Sequence, residues 1–238
     1  AVVPSGGARR ATVGPGDADG STAKVNEPGP HRSGAEIGAL FACADATLGG
    51  HPGWLVGSGS LPPGVDPDLY AELVLRCHAA GVRVAIDASG PPLRKAVAAG
   101  PDLIKPNLEE LEELVSRSLD TLGDVRDAAT DIVTQGVATV VVSLGRHGAL
   151  LVTAEVTALA LAQVSSPLST VGAGDALLAG YLYASVSGST ALDALRVGVA
   201  WGTAAVSLPG SRMPTPADVA GIHVSLTTEP DLSLSLTS

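Results

Sequence analysis

The chain has 238 residues, a formal net charge of −10 at pH 7 and 45% apolar residues. This length fits one large α/β domain or two small ones, with enough apolar residues for a sizeable core. The acidic balance argues against a nucleic-acid partner, because nucleic-acid phosphates require a basic face. No apolar run approaches about 18 residues, so the sequence predicts no membrane span.

The two cysteines, Cys43 and Cys77, lack the CxxC or CxxH spacing of a metal site. We interpret them as reduced thiols rather than as a disulfide, which favours a cytoplasmic protein. The first residues, AVVPSGGARRATVG, lack the apolar core of a signal peptide, in agreement with that location.

The first 30 residues alternate polar and small side chains around GPGDADGST, which predicts a β hairpin with strands near 8–14 and 21–26. From residue 53 to residue 145, apolar runs alternate with amphipathic segments. This alternation predicts βαβ units with right-handed crossovers and a parallel sheet. The expected strands are 53–59 (a buried one), 82–89, 102–107, 138–145 and 148–153, and the expected helices are 66–81, 92–100, 108–119 and 124–136.

Three further helices are expected, at about 175–187, 190–206 and 216–221. Residues 153–169 show no clear pattern. The tail 227–238, TTEPDLSLSLTS, is expected to be loose because chain ends usually fray, although its alternating Leu and Ser could suit an edge strand.

Several common catalytic motifs are absent from the sequence, namely GxxxxGK[ST], GxSxG and HExxH. The segment GSGSLP at 57–62 resembles a dinucleotide-binding GxGxxG, but Pro62 stands where the third glycine should be. A dinucleotide-binding fold is therefore not indicated.

Two loops that follow predicted strands could carry chemistry. The segment GSGSLPPG at 57–64 is either a plain loop or a ligand-binding one, since ligands of α/β proteins bind at the carboxyl ends of parallel strands. In KPNLEE, Asn107 and Glu110 have the spacing of a helix-capping pair. Alternatively, Glu110 orients a hydrated Mg²⁺, which keeps several waters and few protein ligands, and Lys105 lies beside nucleotide phosphates.

The segment VSLGRHGA at 142–149 ends a predicted central strand and turns on two glycines. It is either a hairpin turn or a ledge for the ribose or phosphates of a nucleotide. His147, between Arg and Gly, is interpreted as an exposed turn residue rather than as a catalyst.

The segment STVGAGDALLAGYL at 169–182 places Gly-Ala-Gly-Asp at the start of an apolar helix. Taken alone, this is most simply a tight turn with an acidic residue near the positive end of the helix dipole. The alternative is an anion site, in which a phosphate approaches the amides of Ala173, Gly174 and Asp175. Asp175 would then accept the proton of an attacking hydroxyl, the one proton transfer that kinase chemistry needs.

The order and spacing of five segments resemble the PfkB/ribokinase-like family of sugar kinases: KVNEPGP, GSLPPG, KPNLEELEEL, VVVSLGRHGALLV and STVGAGDALLAGYL. The resemblance implies a ribokinase-like three-layer αβα sandwich with a mostly parallel sheet and a small β lid that is partly missing. It assigns residues 1–30 to a lid-like hairpin, 31–226 to the kinase domain and 227–238 to a tail.

Within the family, STAKVNEPGP, GSLPPGVDPDLYAEL and AAVSLPGS are most similar to the bacterial 1-phosphofructokinase group. This implies an ATP- and Mg²⁺-dependent kinase that converts fructose 1-phosphate to fructose 1,6-bisphosphate. Tagatose-6-phosphate kinases and the minor 6-phosphofructokinases share much of the pattern, so their substrates stay open. The family's lid often mediates dimers, so we also expect a homodimer.

The resemblance also implies a role for individual residues. Asp175 matches the catalytic base, and the preceding Gly172, Ala173 and Gly174 match the anion hole. Asn107 and Glu110 match the NxxE residues that organise Mg²⁺ and the phosphates of ATP. The nucleotide site is completed by Lys105, Ser143, Gly145 and Gly148, and the contacts to the sugar phosphate fall to Ser60, one of Arg9 and Arg10, and the Lys24 region.

Members of this family begin with a strand that carries an early Asp, followed by a Gly-Gly…Asn motif, and both bind the sugar. Nothing in the printed chain precedes the hairpin. We therefore expect this chain by itself to bind ATP–Mg²⁺ weakly and to phosphorylate no sugar phosphate at an appreciable rate. The alternative to an enzyme is thus a nucleotide-binding fragment without catalysis.

Overall fold

The computed structural model describes residues 12–13, 25–26, 29–50, 53–164 and 167–237. The strands are β1 (Thr12–Val13), β2 (Val25–Asn26), β3 (Trp54–Ser58), β4 (Arg83–Asp87), β5 (Leu103–Ile104), β6 (Thr139–Ser143), β7 (Ala149–Thr153), β8 (Thr157–Ala162) and β9 (Val224–Thr227). The helices are α1 (Gly34–Leu48), α2 (Leu69–Ala79), α3 (Gly90–Ala98), α4 (Leu108–Val115), α5 (Leu122–Thr134), α6 (Ala173–Val186), α7 (Ala191–Val206) and α8 (Pro216–Val219).

A seven-stranded sheet with the strand order β3-β4-β5-β6-β7-β8-β9 organises the described residues. The pairs from β3 to β6 are parallel, and those from β6 to β9 are antiparallel. Five of the seven strands therefore run in one direction, because β8 returns to the direction of β6. The short strands β1 and β2 form a separate antiparallel pair.

Helices cover both faces of the sheet, which gives the three layers that the family resemblance implies. Successive residues of a strand point to opposite faces, and in β6 Val140 and Val142 pack with α2 to α5, whereas Val141 packs with α6 and α7. Both faces of the central strands are thus buried, as expected inside a largely parallel sheet.

The βαβ units between residues 53 and 145 form as predicted, and so do α6, α7 and α8. The hairpin strands β1 and β2 lie within the two predicted ranges, although each has only two residues; its role as a lid stays a prediction. Three elements are not among the predicted ones: α1, β8 and β9. Among the described residues, no helix is both long and apolar enough to cross a membrane.

Two expectations about burial are wrong. Strand β3 is not a buried strand: of its residues only Gly57 is buried, because within the described chain β3 pairs on one side only. The tail is not loose. The amide of Leu122 donates to the carbonyl of Leu234 at 2.9 Å, and the amide of Leu236 donates to the carbonyl of Asp120 at 2.8 Å, so the tail docks on the start of α5.

Candidate active site

The carboxyl ends of β4, β5 and β6 meet the amino terminus of α6 around a cavity of about 920 Å³, hereafter the main cavity. Ten of the residues expected to bind nucleotide or to carry catalysis line it: Lys105, Asn107, Glu110, Ser143, Gly145, Gly148, Gly172, Ala173, Gly174 and Asp175. The sheet brings them together because parallel strands end at one edge, where ligands of α/β proteins bind.

Lys105 is the buried cation of the main cavity, with 4% of its surface exposed. Its Nζ lies 3.1 Å from Oδ1 of Asp87, the last residue of β4. A Cβ on Gly174 would lie 3.1 Å from the same Nζ, so the second glycine of the GAGD segment makes room for the lysine. Lys105 therefore lies against the first turn of α6.

Sequence reasoning did not single out Asp87, although an acidic residue at the end of a buried strand was the available signal. Burial raises the pKa of the Asp87 carboxyl, the charge and hydrogen bond of Lys105 act in the opposite direction, and the charge of Asp175 raises it slightly. The charge of Asp175 on α6 therefore acts on the Asp87 carboxyl of β4 across the main cavity.

Asn107 and Glu110 form the helix cap that their spacing predicts. The Asn107 amide donates to Oε2 of Glu110 at 2.9 Å, and the Glu110 amide donates to Oδ1 of Asn107 at 2.8 Å. Burial raises the pKa of Glu110, while the Asn107 amide and the Lys105 charge lower it. The cap uses one carboxylate oxygen of Glu110, Oε2, and leaves the other oxygen outside the cap.

The start of α6 has the geometry of an anion site. Gly172, the residue before the helix, has φ +78° and offers no side chain to cap the first amides. No heavy atom lies within 4 Å of where a Gly172 Cβ would be, whereas most other residues would be strained at this φ. Asp175 lies in the first turn and is exposed. The Ala173 amide already donates to the Thr170 carbonyl at 3.4 Å, so the amides of Gly174 and Asp175 and the Asp175 carboxylate are the groups that face the same space.

A close contact between α6 and α7 fixes the direction of that helix start. A Cβ on Gly198 would lie 2.8 Å from the Leu177 carbonyl oxygen, and one on Gly180 would lie 2.9 Å from the Trp201 ring. The small residues therefore allow the two helices to touch along their backbones.

The turn after β6 forms another wall of the main cavity. A 3₁₀ turn, Gly145–His147, joins β6 to β7, and the Leu144 amide closes it onto the Gly148 carbonyl at 2.8 Å. The hairpin interpretation is therefore correct, and the same turn also faces the main cavity. Asn107 and Ser143 form a β bridge that joins this wall to the Lys105 loop.

Ser60 lies apart from the others. It lines a second cavity of about 510 Å³, hereafter the Ser60 cavity, between α1, β3 and α2, which shares no lining residue with the main cavity. The Tyr70 hydroxyl donates to the Gly59 carbonyl at 2.8 Å, and the Gly59 amide donates to the Asp87 carbonyl at 2.8 Å. These two bonds anchor the loop that carries Ser60. The other expected sugar contacts, Arg9, Arg10 and Lys24, lie outside the described residues.

A protein-only metal cage is absent from the described part of the chain, which contains no group of three His, Cys, Asp or Glu side chains that could hold a metal ion. Two carboxyl groups, Asp87 and Glu110, do line the main cavity near Lys105. This donor set fits Mg²⁺, which is commonly held by one or two carboxylates together with waters and substrate phosphates.

The sheet edge, the GAGD helix start and the buried lysine together form a candidate anion-binding site of an α/β protein. The sequence profile of the pfkB family carbohydrate kinases matches residues 51–218. The chain belongs to this family, and its fold is the ribokinase-like α/β fold.

Two relatives and one solved structure illustrate the match. The chain is 37% identical to a 1-phosphofructokinase of Rhodobacter capsulatus over 203 residues, which cover 85% of this chain and 64% of the relative. It is 40% identical to the ATP-dependent 6-phosphofructokinase isozyme 2 of Escherichia coli over 174 residues, which cover 72% of this chain and 56% of the relative.

The crystal structure of E. coli phosphofructokinase-2 in complex with potassium superposes with a TM-score of 0.78 at 35% identity, covering 85% of this chain and 66% of that one. The chain thus spans between about half and two thirds of the length of these relatives.

Proposed function

We propose that this chain serves an ATP-dependent kinase that phosphorylates D-fructose 1-phosphate to fructose 1,6-bisphosphate. The observation that carries the proposal is the main cavity, where exposed Asp175, the uncapped start of α6 and buried Lys105 face one space. Phosphoryl transfer needs mainly positioning and charge stabilisation, with one group to accept a proton.

Each group has a role that its position supports. The amides of Gly174 and Asp175 bind the transferring phosphoryl group, because a helix amino terminus attracts anions. The Ala173 amide, expected to join them, already donates to the Thr170 carbonyl at 3.4 Å. Lys105 supports the same anion from the side of β5. The Asp175 carboxylate accepts the proton of the sugar hydroxyl, and it is exposed, so an acceptor can reach it.

Glu110 and Asp87 are the residues that would hold Mg²⁺, through waters as well as directly. Glu110 has one oxygen outside the cap, and Asp87 has one oxygen outside the ion pair with Lys105. Mg²⁺ would supply neutralisation of phosphate charge. Asn107 contributes by fixing Glu110, because its own Oδ1 already accepts the Glu110 amide.

The sugar phosphate is the part of the proposal with two candidates. The 1-phosphofructokinase relative favours fructose 1-phosphate, whereas the 6-phosphofructokinase relative, at 40% identity, favours fructose 6-phosphate. In either case we assign the acceptor contacts to Ser60, to one of Arg9 and Arg10, and to Lys24.

We further propose a cytoplasmic homodimer. Neither Cys43 nor Cys77 forms a disulfide, which fits a reducing compartment. A two-stranded pair as short as β1–β2 is marginal in water by itself, so a second copy would stabilise it. Light scattering on the purified protein tests the dimer, and a monomer at micromolar concentration would refute it.

The activity is tested by measuring ADP release with fructose 1-phosphate and with fructose 6-phosphate in the wild type and in D175N. Both proteins are expressed with any sequence that precedes Ala1 in the gene, because the 238-residue chain by itself is expected to have no appreciable turnover. D175N should lower kcat by about 10²–10⁴-fold and leave ATP affinity nearly unchanged. D193N is the matched control, since Asp193 occupies the first turn of α7 outside the cavity. Near-normal kcat in D175N would remove Asp175 as the base. Greater kcat/KM for fructose 6-phosphate would favour the second substrate.

A further inference from the structure

The charge balance of the main cavity is unfavourable for a polyphosphate. Three carboxylates line it, those of Asp87, Glu110 and Asp175. Among the residues that the structure describes, the lysine and arginine side chains in its lining are those of Lys105 and Arg146, and Lys105 is already paired with Asp87 at 3.1 Å. A nucleoside triphosphate brings several negative charges into this space, so a cation without a carboxylate partner would stabilise the bound nucleotide.

The backbone that carries Arg146 is held firmly. Gly145 and Gly148 on either side of the turn have φ of +56° and +83°. A Cβ on Gly148 would lie 2.0 Å from the Ala160 carbonyl oxygen, so β8 packs directly on the turn and only glycine fits. Arg146 therefore starts from a fixed position on the wall of the main cavity.

The guanidinium of Arg146 keeps most of its donors available. Its Nε donates to Nε2 of His147 at 3.1 Å, which orients the group. Within the described chain, no carboxylate lies within ion-pair distance of Arg146, and the side chain is exposed. The two terminal amino groups thus present the planar fork that recognises phosphate in a bidentate manner.

We propose that Arg146 binds the phosphates of the nucleotide and sets the preference of this site for a polyphosphate over a nucleoside. The inference rests on the proposed nucleotide site and adds a determinant to it. Arg146 is assigned to the phosphates rather than to the ribose or base, because the described residues that line the main cavity include no second cation without a carboxylate partner.

The test is equilibrium binding, which needs no turnover. ATP–Mg²⁺ affinity is measured by titration calorimetry, and adenosine affinity by competition against ATP, for the wild type, R146Q, R146K and R196Q. R146Q should weaken ATP binding about tenfold, the effect of losing one charge-assisted contact, and should change adenosine binding less than about twofold. The ATP affinity of R146K should lie between those of the wild type and R146Q, because lysine keeps the positive charge but lacks the planar pair of amino groups.

R196Q is the control, since Arg196 is an exposed arginine on α7 that does not line the main cavity; it should bind ATP as the wild type does. The loss in R146Q should shrink at high salt, because exposed charges are screened. Unchanged ATP affinity in R146Q would overturn the inference, and so would equal losses for ATP and adenosine, which would place Arg146 on the nucleoside. A wild type that binds no ATP would instead refute the proposed function and the inference with it.

Discussion

The main cavity and the Ser60 cavity differ in the contacts that hold their lining residues in place. Around the main cavity the polar groups hold one another: Lys105 pairs with Asp87, and Asn107 and Glu110 cap a helix. The walls come from central strands that are covered on both faces. The Ser60 cavity lies beside β3, which is an edge strand among the residues that the structure describes. The structure leaves apolar side chains exposed there, among them Leu40 at 43% and Val56 at 44%.

The difference shows what fixes a site in this fold. Residues at the ends of central strands are placed by the pairing of those strands in the sheet. The Ser60 loop follows an edge strand and depends on particular bonds, mainly those from Tyr70 and to Asp87. Burial first and the Asp87 charge second raise the pKa of Tyr70 to about 12, so its hydroxyl remains a donor throughout the physiological range.

Breaking the ion pair in the main cavity should have the largest effect on stability. K105M leaves the Asp87 carboxylate buried without a partner, which costs about 3–5 kcal/mol. The double variant D87N/K105M should recover most of this loss, because no charge is left unpaired, but it should not recover ATP affinity. Urea unfolding and ATP titration measure the two effects. Equal stability of K105M and the wild type would show that the pair does not hold the cavity.

Strand β3 offers a test of the other region. A Cβ on Gly57 would lie 2.8 Å from Tyr70 Cδ1 and 2.9 Å from Ile86 Cδ1. G57A should therefore destabilise the fold by about 1–3 kcal/mol through overpacking and displace the Ser60 loop. The control is G38A on exposed α1, where nothing lies within 4 Å of the new Cβ; it should stabilise the protein by about 0.4–1 kcal/mol. An unchanged free energy of unfolding in G57A would mean that the Ser60 loop and the Tyr70 ring move aside for the new Cβ without cost.

The smallest expected effect on stability concerns Glu110, for which E110Q keeps the cap because Gln also suits this position. Burial places the folded-state pKa of Glu110 above that of the unfolded chain. The folded state therefore binds the proton more tightly, and the wild type loses stability as pH rises between these two values. E110Q lacks this loss, so its stability relative to the wild type should rise over the same window, as urea unfolding at several pH values would show.

The same variant separates capping from metal binding. If Glu110 helps to hold Mg²⁺, E110Q should raise the Mg²⁺ concentration for half-maximal rate or half-maximal ATP affinity several-fold. An unchanged Mg²⁺ dependence would leave Glu110 as a helix cap and remove it from the metal site.

The central βαβ units and the main cavity were predictable because their signals are local. Apolar runs gave the strands, and glycines with Asp175 marked the helix start. Helix α1 was missed since it is apolar on nearly all sides and shows no single buried stripe, although Ser33 and Glu36 form a capping box that was visible in the sequence. Strand β8 was missed because its small alternating residues, TALALA, resemble a helical run as much as a strand.

The docked tail and the partnership of Lys105 with Asp87 could not be predicted, because both join segments distant in the chain. The tail bonds to α5 through backbone groups, and Leu234 and Leu236 pack against the core. The alternating Leu and Ser indicated a strand-like segment, but no sequence signal gave its position against α5. Lys105 was expected beside phosphates, but only the register of β4 on β5 brings Asp87 to it.

Amide hydrogen exchange with and without ATP–Mg²⁺ tests most directly the claim that the nucleotide occupies the main cavity. We expect bound nucleotide to slow exchange at residues 143–148 and 170–177, which form the β6 turn and the start of α6, and to leave residues 54–62 of the Ser60 cavity unchanged. Protection confined to residues 54–62, with none at 170–177, would contradict the account.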